Sequence, residues 1–197
     1  VDGTTLLRAV EHSAGFLERH LDGDWRRPGE QVEMSAAQLV AHMANCLLWY
    51  GVDFCAGPRE LATNTVSVDD GAEPVELLRA LRAAGRVLAA VVDAADPGDR
   101  GWHPAGIGDA SGFAGMGCDE VVVHTHDAAQ ALGVDFEGPA DVAHAVLGRM
   151  FPWAPAGGDR WQVLLWANGR AVLGARPRLT SWRWHVAPLA EWDGTRP

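Results

Sequence analysis

Four stretches of this chain repeat apolar residues with a helical period, and clusters of Gly, Pro or Asp end each of them. Helices of that length bury their apolar stripes against one another, so this pattern constrains the fold more tightly than any other feature. In the first stretch, Leu6, Leu7, Val10, Ala14, Leu17 and Leu21 predict a helix over about residues 4–21, stopped by Asp22-Gly23-Asp24. A loop through Trp25 to Glu33 follows. Ser35 then reads as the N-cap of a second helix, because its hydroxyl can accept from the free amides of the first turn. Leu39, Val40, Met43, Leu47 and Leu48 carry that helix's apolar face, and Gly57-Pro58 marks its end. Pro74 suits the first position of a third helix, whose stripe runs from Leu77 to Ala95 before Asp96-Pro97-Gly98. A Gly-rich loop over 100–112 leads to a fourth helix, from about Phe113 to Leu132, with Gly133 as its stop. Val121-Val122-Val123 alone suggests a strand, but the Ala-rich segment around it is too long and uniform for one.

Beyond Gly133 the texture changes. Asp141–Phe151 reads as a shorter fifth helix, residues 152–158 as a breaker-rich link, and Asp159–Ala167 as a sixth helix. Arg170 to Val186, with its alternating Trp182-Arg183-Trp184, suits a small β-hairpin or edge pair. The expected architecture is mainly α: an up-down four-helix bundle over residues 1–135, with a small α+β extension over 136–197 packed on it as one compact unit.

Charge narrows the function classes. The chain has 16 basic residues, all of them Arg, against 26 Asp plus Glu, for a formal charge of −10. No basic tract tracks a phosphate backbone, which argues against nucleic acid. A phosphate loop ending in Gly-Lys is impossible without Lys, and no Gly-x-Ser-x-Gly elbow occurs. No uninterrupted apolar run approaches the roughly 18 residues of a membrane span. Cys46, Cys55 and Cys118 form no paired framework, which suits a reducing compartment and favours the cytoplasm. The absence of Lys beside abundant Ala, Gly, Asp and Val suggests a GC-rich genome. No heptad seam demands self-association, leaving monomer and homodimer both open.

One constellation stands out chemically. Glu120 and His124 are four apart, so a helix stacks them on one face, and Asp127 continues that face. His42 lies in the middle of the second helix among apolar neighbours. A bundle brings mid-helix positions together, and two imidazoles with one carboxylate make a three-ligand metal site with an open fourth position. Each residue also has a plainer reading: a mid-helix His as core packing, a Glu–His pair as a solvated face, Asp127 as a surface residue at a helix end. Cys46, four after His42, reads as packing rather than as a ligand. His126 falls on another helix face from His124. His103 lies in the Gly-rich loop and reads as a plain loop residue or one at a cavity mouth. Trp49 walls a cavity or packs in the core.

The segment Met34-Ser35-Ala36-Ala37-Gln38-Leu39-Val40-Ala41-His42 resembles the entry to the second helix of the DinB/YfiT-like metalloenzyme superfamily. Glu120-Val121-Val122-Val123-His124-Thr125-His126-Asp127 resembles the signature of one branch, the mycothiol-dependent maleylpyruvate isomerase family, as does the tail from Leu164 to Arg170 with Trp182-Arg183-Trp184. The resemblance implies a divalent metal held by His42, Glu120 and His124, most often Zn²⁺, with Ni²⁺, Fe²⁺ or Mn²⁺ also suited to those donors. It implies mycothiol, a low-molecular-weight thiol of actinobacteria, as cosubstrate, and a small electrophile as substrate. It gives weight to Arg170 as a grip on a substrate or cofactor carboxylate, the other reading being that Arg170 only pairs with an acidic neighbour; on spacing, Trp49 falls where it can line the cofactor's cavity, and Asp127 can take a catalytic part by accepting from the second ring nitrogen of His124. Met34 stands where many relatives have Trp, and only residues 134–197 follow the fourth helix, where the isomerases proper carry a sizeable second domain. Both departures point to an electrophile other than maleylpyruvate. The expected activity is thiol-dependent S-transfer or isomerisation; a hydrolase that activates water at the same ligands, and a non-catalytic metal- or ligand-binding bundle, are the alternatives.

Overall fold

The structure is a computed structural model that describes residues 1–29, 32–63 and 65–195. Six α-helices and one two-stranded hairpin organise the described residues. The expected loop from Trp25 to Glu33 includes residues 30 and 31, which lie outside them.

Helix α1 (Gly3–Glu18) is capped by Asp2, whose carboxylate accepts from the Thr5 amide at 2.8 Å. It ends three residues before Leu21, where the Trp25 indole donates to the His20 carbonyl and turns the chain. Helix α2 (Ala36–Ala56) begins as expected at Ser35, with Gln38 returning a bond to the Ser35 amide in a full capping box. It is long and apolar enough by composition to cross a membrane, yet more than half of it is buried inside this fold. Helix α3 (Pro74–Asp93) carries Pro at its first turn, and Leu77, Leu78, Leu81 and Leu88 are wholly or almost wholly buried.

Helix α4 (Ala110–Leu132) starts three residues earlier than the apolar pattern suggests, because Asp109 caps it through the Gly112 amide. Gly133 ends it in the left-handed conformation at φ 73°. Val121, Val122 and Val123 are helical and buried, as a helix that packs on several sides requires. Gly117 marks where the four helices meet: a Cβ there would stand 2.9–3.1 Å from Leu88, Leu47 and Leu6, one residue from each of the other three long helices.

Mainly helical bundling therefore holds, but the chain does not strictly alternate up and down. Gly3 meets Asp93 and Gly85 meets Val10, so α1 and α3 are antiparallel. Gly51 lies against Val87 and Val91, so α2 runs parallel to α3. The link 57–73 makes this possible, since extended chain of that length can return along a helix of roughly 30 Å.

The β structure also sits elsewhere than expected. Strands β1 (Gly101–His103) and β2 (Gly106–Gly108) form an antiparallel hairpin between α3 and α4, with Trp102 opposite Ile107. Among the described residues no strand forms between 170 and 186; only Leu173 and Arg176 make an isolated bridge. The aromatic alternation at Trp182 and Trp184 serves packing instead: their rings lie 5.8 Å apart, and Trp182 meets Phe151. Helix α5 (Ala140–Met150) packs on α4, and α6 (Arg160–Ala167), capped by Asp159, packs on α5.

Candidate metal centre

The middle of α2 faces the middle of α4, and there the three expected donors converge. One ligand atom from each of His42, Glu120 and His124 lies within 4.8 Å of the others. Glu120 Oε2 is 3.1 Å from His124 Nε2 and 3.4 Å from His42 Nε2. Those separations match the edge of a tetrahedron with metal–ligand bonds of roughly 2.0–2.1 Å, about 3.3 Å. The imidazoles meet edge-on, with centroids 4.9 Å apart and planes at 89°. Glu120 Oε2 is fully buried and, among the described residues, receives no aligned hydrogen bond. A buried carboxylate oxygen left this way between two ring nitrogens fits a cation.

The remaining atoms of the α4 donors are held in place. Glu120 Oε1 accepts from the Tyr50 hydroxyl at 3.0 Å. His124 Nδ1 lies 3.0 Å from Asp127 Oδ2, so the carboxylate accepts a hydrogen bond from Nδ1–H and leaves Nε2 facing the centre. Asp127 is in turn clasped by Arg170, whose Nε and Nη2 donate to its two oxygens at 3.1 and 2.9 Å. Arg170 also donates to the Asn168 carbonyl. Its Nε and Nη2 are thus engaged by Asp127, the acidic neighbour that one of the two readings of Arg170 called for.

Burial opposes charge on every group here, and the partners decide the outcome. For Glu120, burial works upward, but the bonds and charges of His124 and His42 outweigh it and hold the carboxyl far below its usual range. Burial works against a charged His124, yet Asp127 and Glu120 raise it to about 9 in the metal-free protein. Asp127 is pulled below its ordinary value by His124 and Arg170 despite its burial.

His42 is the open member of the set: its side chain is 40% exposed, against 11% for Glu120 and 17% for His124. It borders a cavity of about 500 Å³ walled by Trp49, Tyr50, Trp102 and His103. Of the two readings of Trp49 the structure has it in a cavity wall, and His103, on β1, lines the same cavity. Cys46 Sγ is 3.5 Å from His42 Nε2 but stands outside the donor cluster, and burial followed by the charge of Glu120 pushes its thiol far up. His126 points away, toward Trp161, with centroids 6.0 Å apart.

Two contributors escape the sequence reading. Tyr50 lies eight residues after His42, near the same face of α2, and that spacing was a usable signal. Asp119, buried beside Glu120, accepts from Asn168 Nδ2 at 2.9 Å and Trp184 Nε1 at 2.7 Å. Burial raises it to about 7 against the pull of those two donors. Its partners are distant in sequence, so spacing alone carried no sign of them.

Fold and donors define a helical-bundle protein, consistent with the DinB-like fold, whose His-His-Glu set can hold a metal ion. Residues 6–129 match the family model described as mycothiol maleylpyruvate isomerase N-terminal domain, and the chain belongs to that family. The match takes in all three donors and Asp127 and stops short of Arg170. No curated protein and no solved structure matches the chain.

Proposed function

We propose that this protein is a metal-dependent enzyme that uses a low-molecular-weight thiol, mycothiol, to act on a small electrophile by S-transfer or isomerisation. The observation that carries this reading is the asymmetry of the centre: two donors fixed from behind, and a third, His42, open to an aromatic cavity. Family membership supports the thiol.

A divalent ion, zinc by preference, would be held by His42, Glu120 and His124, and would keep a bound thiol as thiolate, the attacking form, at neutral pH. Two neutral imidazoles and one carboxylate leave one positive charge, which suits an anionic fourth partner. Asp127 fixes the tautomer of His124, Tyr50 fixes Glu120, and Trp49 and Trp102 give the cavity apolar walls beside the nucleophile. A reducing, cytoplasmic setting accords with the three unpaired cysteines.

The test is metal content and thiol consumption in the wild type and in His42→Ala, against a panel of small electrophiles. Metal loss and loss of thiol consumption together are expected in the variant. Equal metal and equal turnover in both proteins refute the proposal, and ester turnover without added thiol replaces it with hydrolysis.

A further inference from the structure

The charge lining the cavity constrains what can occupy it. Asp53 follows His42 by eleven residues, three helical turns along nearly the same face of α2. It is 8% exposed, lines the cavity, and makes no hydrogen bond or ion pair among the described residues. Burial, and then the charge of Glu60, raises its carboxyl. Glu60 lines the same cavity from the link after α2. Two carboxylates that line one cavity, with no cationic side chain among the described residues beside them in its wall, disfavour each other's charge and that of any further anion. The walls between them and His42 are the rings of Trp49, Tyr50 and Trp102, surfaces that attract cations. No Arg lines this cavity among the described residues, nor the neighbouring one on the other side of His42, which carries Asp69 and Asp70.

We infer that the cavity binds an organic cation: the small electrophile carries a protonated amine or quaternary ammonium on an apolar body, and not a carboxylate. The inference rests on the metal–thiol reading only in taking this cavity as the substrate's side of the centre. The charge balance runs the same way. The ion with its three donors is left with one positive charge, which a thiolate neutralises. A further anion would then meet Asp53 and Glu60 with nothing to offset them. At a separation of a few ångströms and an effective dielectric near 20, one such charge changes affinity by more than about tenfold.

The experiment uses the zinc-loaded full chain and two probes of similar size, 2-phenylethyltrimethylammonium and 3-phenylpropionate, with affinity read by calorimetry. The quaternary cation cannot ligate zinc and the carboxylate can, so the comparison is weighted against the inference. The cation is expected to bind at least about tenfold tighter. Asp53→Asn combined with Glu60→Gln is expected to bring the two probes within about threefold of each other by removing that charge. Glu60→Gln alone, in an exposed link, narrows the gap in part and serves if the double variant fails to fold. Tighter or equal binding of the carboxylate, no cation binding at millimolar concentration, or a preference untouched by the substitutions overturns the inference. Neither thiol nor turnover enters the readout, so its failure is distinct from failure of the metal–thiol reading.

Discussion

The two imidazoles of the centre are the same chemical group in two different settings. His124 sits on α4, side chain 17% exposed, and its far nitrogen is held by Asp127, which is held by Arg170 from the segment after α6. His42 sits on α2, side chain 40% exposed, and among the described residues no carboxylate besides Glu120 pairs with its ring, which has the thiol of Cys46 3.5 Å from Nε2. One helix supplies a fixed jaw and the other an open one. A centre that only stabilised the fold would be closed on both sides, so the open His42 side is where the proposed chemistry would take place.

The largest expected effect comes from removing a donor on either jaw. Glu120→Ala and His42→Ala should each lower zinc affinity by more than the roughly 100-fold that marks the upper range for outer partners. Equilibrium dialysis with elemental analysis measures this. Wild-type affinity in His42→Ala would remove α2 from the centre and end the comparison.

Asp127→Asn tests the fixed jaw from behind. Zinc affinity should fall by about 10- to 100-fold, because the amide no longer sets the tautomer of His124. Stability should fall by about 3–5 kcal/mol, since Arg170 loses its partner inside the protein. Chemical denaturation of the metal-free protein gives the second figure. A change in metal affinity without one in stability would mean that the Arg170 clasp holds nothing in place.

How much of this jaw the sequence disclosed depends on how local each contact is. Glu120 and His124 are four apart on a long Ala-rich helix, so their shared face followed from helical geometry. That His42 meets them depends on how α2 crosses α4; its mid-helix place in a bundle pointed there, and the resemblance implied the full set. The Arg170–Asp127 and Trp184–Asp119 contacts join residues 43 and 65 positions apart, and no periodic pattern records such pairs. The misplaced hairpin has a similar cause. Trp182-Arg183-Trp184 has the composition of a strand but pairs with no strand among the described residues. Gly101–Gly108 has poor strand composition yet pairs, because Gly101 fits where a Cβ would stand 2.6 Å from the Phe54 backbone and 2.8 Å from the Phe113 ring. Tertiary packing overrode intrinsic preference in both places. The parallel course of α2 and α3 was hidden in the link 57–73, whose length permits a crossover without requiring one.

The pH dependence of zinc binding sharpens the contrast further. In the metal-free protein burial disfavours a charged His124, but Asp127 and Glu120 raise it to about 9. Its folded value thus lies above its unfolded one. The stabilisation it gives is fully present below about pH 6.5 and is lost as pH rises through about 9. Zinc needs the neutral ring, so between those limits binding displaces a proton and affinity should rise by about tenfold per pH unit. The gain in melting temperature on adding zinc should accordingly be larger at pH 8.5 than at pH 6.5. A gain that shrinks with rising pH would mean that His124 is already neutral and that Asp127 does not hold its proton.

Cys46→Ser should have the smallest effect, and it probes the open jaw at the position closest to an Asp127 counterpart. Cys46 Sγ is 3.5 Å from His42 Nε2, and burial together with the charge of Glu120 keeps it a neutral thiol, a poor hydrogen-bond partner and a poor ligand. The serine hydroxyl is of similar size, so zinc affinity should change by less than about threefold, within the range of substitutions that touch no special feature. Metal titration of the variant beside Asp127→Asn decides the point. A loss as large as that of Asp127→Asn would make Cys46 a fourth donor or a support for His42, and the centre would then be closed on the side where substrate is proposed to enter.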